Sequence, residues 1–176
     1  MSPKKILAIS GSLREGSSNT QLLMLLGQWM PANVSYHVYQ DMGKLPHFNP
    51  PAADELTPAS VQELYRQIND ADAVIICTPE YAFGVPGSLK NLLDWTVGPG
   101  NLMDKPVAII TASSVGEHAH ASLLTTIGVL SAKIIEGGAL LIPFIRSKMN
   151  ADGNITDEIT EQQLRAVLDS LLNAIS

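Results

Sequence analysis

The sequence predicts an α/β fold built on one parallel sheet, and three observations carry that reading. Short, largely apolar runs recur at 6–9, 73–77, 106–111 and 139–142. Runs of this length, bounded by turn-forming residues, mark strands buried on both faces. Between them lie longer stretches with apolar residues at helical spacing. The two patterns alternate from end to end without a linker or a shift in composition, so the whole of 1–176 reads as one domain. Alternation of this kind produces a parallel sheet covered on both faces by helices.

Each element has its own signal. Ile6 to Ile9 is the first strand, and Leu22, Leu23, Leu25, Leu26 and Trp29 give the first helix its apolar side, ended by Pro31. Residues 34–40 alternate well enough for a second strand, with His37 as a half-buried strand residue. Residues 41–57 run irregularly through Gly43, Pro46, Pro50 and Pro51, with His47 and Phe48 as contact residues for a pocket wall or a subunit contact. Thr57-Pro58 reads as a helix cap with proline at the first helical position, before Val61, Leu64, Tyr65 and Ile68. Residues 73–77 form the third strand, and Pro86 starts a helix through Trp95. Residues 106–111 are the fourth strand, and Leu123, Ile127, Leu130 and Ile134 face one way on the next helix. Gly137-Gly138 reads as a turn into a fifth strand at 139–142, and Gly153-Asn154 as another turn. Thr160 and Gln163 suggest a capping box for a terminal helix carrying Leu164, Val167, Leu168, Leu171, Leu172 and Ile175. Five strands in this series fit the doubly wound order 2-1-3-4-5, which places ligands beyond the carboxyl ends of the strands, at the switch point between the first and third.

Composition narrows the function. Lys+Arg 11 against Asp+Glu 17 gives a net charge of −6. With no basic run, nucleic acid and anionic membrane surfaces are poor partners. A single cysteine, Cys77, excludes an intrachain disulfide and suits a reducing compartment. No apolar stretch is long enough to span a membrane, and the run after Lys4 and Lys5 is too short for a signal peptide. A cytoplasmic location is expected.

The loop after the first strand carries the chemistry. Ser10-Gly11-Ser12 ends the strand, and Ser18-Asn19-Thr20 leads into the first helix. A small polar loop between a strand and a helix aims backbone N–H groups at one point on the positive end of the helix dipole, where an anion binds. Ser12, Ser17, Ser18 and Thr20 supply hydroxyls, and Arg14 supplies a guanidinium suited to phosphate. Gly11, Gly16 and Ser18 match the P-loop spacing, but Ser17 stands at its lysine position. The dinucleotide fingerprint fails because Leu13 stands where the second glycine belongs. A hydroxyl-rich cradle for a dianionic monophosphate remains.

The loop after the third strand is stiff. Pro79, Gly84, Pro86 and Gly87 expose its backbone for hydrogen bonds to the edge of a flat heterocycle, and Tyr81 and Phe83 offer aromatic surface. In the loop after the fourth strand, His118 and His120 form a His-x-His pair without a third ligand, so no metal is expected. They read as exposed residues at a helix start. Ser12 and Ser88 lack the G-x-S-x-G elbow of serine hydrolases. The third strand ends in Cys77-Thr78, without the acceptor aspartate of a receiver domain.

Gly11-Ser12-Leu13-Arg14 with Ser18-Asn19-Thr20, together with Pro79-Glu80-Tyr81 through Gly84-Val85-Pro86-Gly87-Ser88-Leu89-Lys90-Asn91 to Asp94-Trp95, resembles the NADPH-dependent FMN reductase family, whose fold is flavodoxin-like. The alternating pattern extends the resemblance over essentially the whole chain. It implies FMN as cofactor and NADPH or NADH as co-substrate. Ser12, Arg14, Ser18, Asn19 and Thr20, beside Gly11, would hold the phosphate. Pro79, Glu80, Tyr81, Ala82 and Phe83 would line the isoalloxazine, with Ser113 and Gly116 from the third loop completing the site. The resemblance also implies a small-molecule electron acceptor: a quinone, azo compound, metal oxyanion or free flavin. It implies ping-pong turnover without a catalytic side chain, and a homodimer or homotetramer helped by a partly exposed helix end at Leu92, Leu93, Trp95 and Val97. The chain departs from the family in two places. Ala82 replaces a common asparagine, and Glu117 replaces a glycine of the third loop. An electron-carrier flavodoxin and a flavin-free binding or sensor domain are the rival readings.

Overall fold

The computed structural model describes residues 3–53 and 56–176. Five parallel strands form a sheet of order β2-β1-β3-β4-β5. They are β1 (Lys4–Ser10), β2 (Val34–Tyr39), β3 (Ala73–Thr78), β4 (Pro106–Ala112) and β5 (Lys133–Ile142). Five helices alternate with them: α1 (Ser18–Gln28), α2 (Ala59–Asp70), α3 (Gly87–Trp95), α4 (Glu117–Val129) and α5 (Glu158–Ala174). The flavodoxin-like order expected from the sequence is the order found.

Period-2 alternation sorts the strand side chains to two cores. Leu7, Ile9, Val74, Ile76, Val107 and Ile109 pack on one face beneath α2, α3 and α4. Ile6, Ala8, Ala73, Ile75, Ala108 and Ile110 pack on the other beneath α1 and α5. Both faces are dry, so the central strands read as unbroken apolar runs. Each fully buried Leu or Ile contributes about 1.5–3 kcal/mol of transfer free energy, which makes these two layers the main source of stability.

Several local expectations change. Gly137 and Gly138 do not form a turn before the fifth strand; they lie inside β5. β4 advances from Val107 to Ile109 while β5 advances from Ile134 to Ala139, a bulge that absorbs the extra residues. Gly137 takes the left-handed conformation that the bulge needs (φ 73). Ile134 therefore belongs to β5 and not to α4. α2 begins at Ala59 with Pro58 at its cap and no capping side chain, so Thr57 is not the cap. α3 likewise begins at Gly87, with Pro86 at its cap. In α5 the cap is Asp157, whose carboxylate accepts from the Thr160 N–H at 2.9 Å and replaces the expected capping box. His37 is exposed. Leu92, Leu93 and Trp95 are buried, which leaves Val97 as the exposed member of that helix end.

The irregular 41–57 segment is strapped to α3; its residues 54 and 55 lie outside the described residues. The indole N–H of Trp95 and the amide of Asn91 both donate to the Pro46 carbonyl, at 2.9 and 3.0 Å. The Phe48 N–H donates to Asn91 Oδ1, and the Phe48 ring meets Trp95 edge-on at 5.1 Å. His47 is exposed.

A Cβ at position 138 would run into the Ile135 side chain and its carbonyl oxygen. Gly138→Ala is therefore expected to lower the unfolding free energy by about 1–3 kcal/mol in urea titrations. An unchanged midpoint would mean that the bulge has room to spare.

Candidate functional site

Parallel pairing ends β1, β3 and β4 at nearly one level, with Ser10 opposite Cys77 and Thr78 opposite Thr111. Their loops converge as a result. A cleft of about 420 Å³ opens there, within the roughly 300–1,000 Å³ usual for small-molecule sites. One wall is the β1–α1 loop with Arg14, Ser17, Ser18 and Asn19. Pro79, Glu80 and Tyr81 come from the loop after β3, and Ser113 and Ser114 from the loop after β4.

The β1–α1 wall is built for close approach. The Gly11 N–H donates to the Cys77 carbonyl at 2.7 Å, and a Cβ at position 11 would overlap the Thr78 side chain. Gly16 takes a left-handed φ of 62 and aims the chain into α1. Ser17 is the N-cap of α1, yet its hydroxyl makes no capping bond, and the first turn carries no acidic residue. The N–H groups of Ser18, Asn19 and Thr20 lack helical acceptors by position.

The side chains behind this wall hold it in place. Buried Asn19 donates from Nδ2 to the Ala112 carbonyl at 3.1 Å and accepts from the Cys77 thiol at 3.2 Å. Burial pushes the Cys77 thiol up, so it stays protonated and keeps donating. Thr20 and Ser10 share a hydroxyl hydrogen bond of 2.8 Å, and Thr20 faces away from the cleft. Ser12 Oγ lies 3.3 Å from the Tyr81 hydroxyl and accepts from the Arg14 N–H, joining the first two loops. Gly11, Ser12 and Thr20 thus support the cleft without lining it, and the Asn19 side chain serves the interior.

The second loop is a two-residue hairpin. Tyr81 and Gly84 exchange both backbone hydrogen bonds at 3.0 Å, with Ala82 (φ 49) and Phe83 (φ 58) left-handed between them. Two non-glycine residues at positive φ are strained by roughly 1–2 kcal/mol each. Asparagine tolerates this conformation better than alanine, which gives the common family asparagine a backbone role as well as a side-chain one. Ala82 and Phe83 project from the cleft rim, and Phe83 meets the His118 ring edge-on at 5.1 Å.

Glu80 binds the second loop to the third. Its N–H donates to Ser113 Oγ at 3.2 Å, and its carboxylate accepts from the Ala119 N–H at 2.9 Å, in the first turn of α4. A carboxylate there meets the positive end of the helix dipole. Gly116 caps α4 at φ 98, where a Cβ would strike Leu141. Glu117 is exposed at the first helical position and does not line the cleft. His118 is exposed as expected; His120 is not. His120 turns inward, with Nδ1 2.9 Å from Thr111 Oγ1, and burial holds its pKa below the usual histidine value.

The motifs in the sequence do not reveal the fourth wall. Phe144, Ile145, Arg146 and Ser147 follow β5 and line the same cleft. The Phe144 and Ile145 N–H groups donate to the Ser114 and Ser113 carbonyls, both at 3.2 Å. A signal for it does exist: the loop after the fifth strand also leaves the carboxyl edge of the sheet, and it carries an arginine. Ser17, Ser114 and Ala112 are further lining residues.

The strain in the hairpin can be tested directly. Ala82→Asn is expected to stabilise the protein by about 0.5–1 kcal/mol in chemical denaturation, because asparagine accepts positive φ more readily. A loss of stability would place the cost of the turn elsewhere.

Residues 4–146 match the family described as NADPH-dependent FMN reductase. A NADPH:quinone oxidoreductase of Arabidopsis thaliana is 36% identical over 175 residues, covering 95% of this chain and 89% of the relative. A 2-hydroxy-1,4-benzoquinone reductase of Burkholderia sp is 33% identical, covering 94% and 92%. Among solved structures, the flavoenzyme NAD(P)H:(acceptor) oxidoreductase FerB from Paracoccus denitrificans superposes with a TM-score of 0.84 at 30% identity, covering 98% of this chain and 97% of the other. By sequence, by fold and by the loops that meet at its cleft, the chain belongs to the NADPH-dependent FMN reductase family of oxidoreductases.

Proposed function

We propose that the chain acts as one domain that binds FMN in this cleft and works as an NAD(P)H-dependent reductase of small electron acceptors. The observation that carries this reading is the α1 N-terminus. Ser18 and Asn19, whose N–H groups lack helical acceptors by position, the Ser17 hydroxyl free of capping duty and Arg14 line one cleft with Pro79, Glu80 and Tyr81. A phosphate ester suits the first wall and a flat ring suits the second. The chemistry FMN supplies when bound is hydride acceptance from NADPH or NADH, then electron delivery in ping-pong turnover to a quinone, azo compound, metal oxyanion or free flavin.

The protein's own part is positioning. Gly11, Ser12, Arg14, Ser18, Asn19 and Thr20 form and support the phosphate cradle, with Asn19 and Thr20 contributing N–H groups while their side chains brace the loop. Pro79, Glu80 and Tyr81 make the ring wall, with Ala82 and Phe83 at its rim rather than in its lining, and Ser113 and Gly116 set the third loop against it. Backbone N–H groups in these loops would hydrogen-bond the edge of a bound ring. No side chain is required as acid or base. Glu117 stays clear of the cleft, which leaves its mouth open to flat acceptors.

The same reading includes a cytoplasmic location, supported by the single reduced Cys77, and a homodimer or homotetramer. Tyr81 and Phe144, which line the cleft, and Phe83 and Val115 on the loops beside it are exposed apolar residues that favour assembly.

Anaerobic titration of the FMN-loaded protein with NADPH, then with NADH, is expected to bleach the flavin absorbance. Failure to bind FMN, or binding without bleaching, sinks the proposal. Arg14→Ala is expected to weaken FMN about 10- to 100-fold in fluorescence titrations, the effect of removing one charge-assisted grip. Light scattering at micromolar concentration is expected to give a dimer or tetramer mass, and a monomer mass would exclude the assembly.

A further inference from the structure

The chain has four arginines, and they divide sharply. Arg66 pairs with Glu63 and Asp70 along α2, and Arg165 pairs with Glu161 along α5 while stacking on Trp29. Arg14 and Arg146 have no carboxylate partner among the described residues, and both line the one cleft. Among the described residues Glu80 is the one carboxylate on that lining, and it is engaged at the α4 N-terminus.

Arg146 is placed by a rigid turn. Phe144 sits at a left-handed φ of 55, and the Phe144 and Ile145 N–H groups are clamped to the Ser114 and Ser113 carbonyls. Ile145 is buried in the core under α5, and the Ser147 hydroxyl closes back on the Phe144 carbonyl at 2.8 Å. The backbone on both sides of Arg146 is therefore fixed, and its side chain is left to the cleft. β1 and β5 stand three strand spacings apart, roughly 14 Å at about 4.8 Å each. Arg14 and Arg146 nonetheless line one cleft, from the β1–α1 loop and from the loop after β5. In a chain of net charge −6, two unpaired arginines meeting in one cleft make a local anion trap.

We infer that Arg146 is a second phosphate-gripping residue, closing from the β5 loop on the same flavin phosphate that Arg14 holds from the β1 loop. The inference rests on the FMN reading above and adds a residue that neither the phosphate-loop motif nor the flavin-ring motif contains. Its consequence is selectivity: the cleft takes the phosphorylated flavin and rejects riboflavin. A guanidinium is suited to the role because its planar fork bonds a phosphate through two N–H groups at once.

The test is fluorescence titration of the apoprotein with FMN and with riboflavin, in the wild type, Arg146→Ala, Arg146→Lys, Arg14→Ala and the double alanine variant. Arg146→Ala is expected to weaken FMN by about tenfold or more and to leave riboflavin within twofold. Arg146→Lys restores part of the loss, since it keeps the charge without the fork. The double variant is expected to lose more FMN affinity than either single variant, with the α1 N-terminus keeping a residual preference for FMN over riboflavin. Unchanged FMN affinity in Arg146→Ala, with FMN still binding the wild type, overturns the inference and leaves the FMN reading standing. Equal loss for both flavins makes Arg146 a structural residue and overturns it too. A wild type that binds neither flavin removes the FMN reading and this inference together.

Discussion

One buried side chain holds the cleft in register. Asn19 reaches from the first turn of α1 to the Ala112 carbonyl at the end of β4 and accepts a hydrogen bond from the Cys77 thiol at the end of β3. A helix N-terminus, two strand ends and therefore three loops are fixed relative to one another by this one amide. In a dry interior each of its hydrogen bonds is costly to lose, because the freed partner has no water to turn to. The sequence motif offers Asn19 as a contact to phosphate. The structure gives its side chain a prior task and leaves only its backbone N–H for a ligand.

Around the cleft the backbone departs from relaxed geometry at several positions. Ala82, Phe83 and Phe144 stand at positive φ, and Gly16 and Gly116 do so at the starts of α1 and α4. Such conformations persist when their surroundings over-determine them. The hairpin is over-determined by its paired hydrogen bonds and by the Glu80 carboxylate on α4, and the β5 loop by its bonds to Ser113 and Ser114. Loops fixed in this way present their backbone groups in a set geometry.

Charge follows a similar division of labour. The exposed ion pairs on α2, α3 and α5 join residues three or four apart on their own helices and contribute little to the fold. The arginines excluded from such pairs are those at the cleft. An acidic chain with a locally basic cleft disfavours anions over most of its surface and favours them at one place.

The sheet order and both cores are legible in the sequence, since apolar runs such as 73–77 and the strand–helix alternation leave few arrangements. The first two walls of the cleft are legible for the same reason: Ser10 to Thr20 and Pro79 to Phe83 are continuous stretches whose chemistry is local. Gly137 and Gly138 look like a turn because a bulge and a turn demand the same residues, and only pairing with β4 separates them. Thr160 looks like the head of a capping box because the Asp157 cap depends on where the last turn of chain lies. Arg146 escapes a sequence motif because it belongs to the cleft only through strand order, and the inward turn of His120 does so because it depends on Thr111 across a loop. Periodicity is written in the sequence, and with it the layers and the hydroxyl-rich loop between β1 and α1. What the tertiary structure alone decided was which side chains brace the cleft and which line it, because that depends on neighbours brought together from strands far apart in the chain.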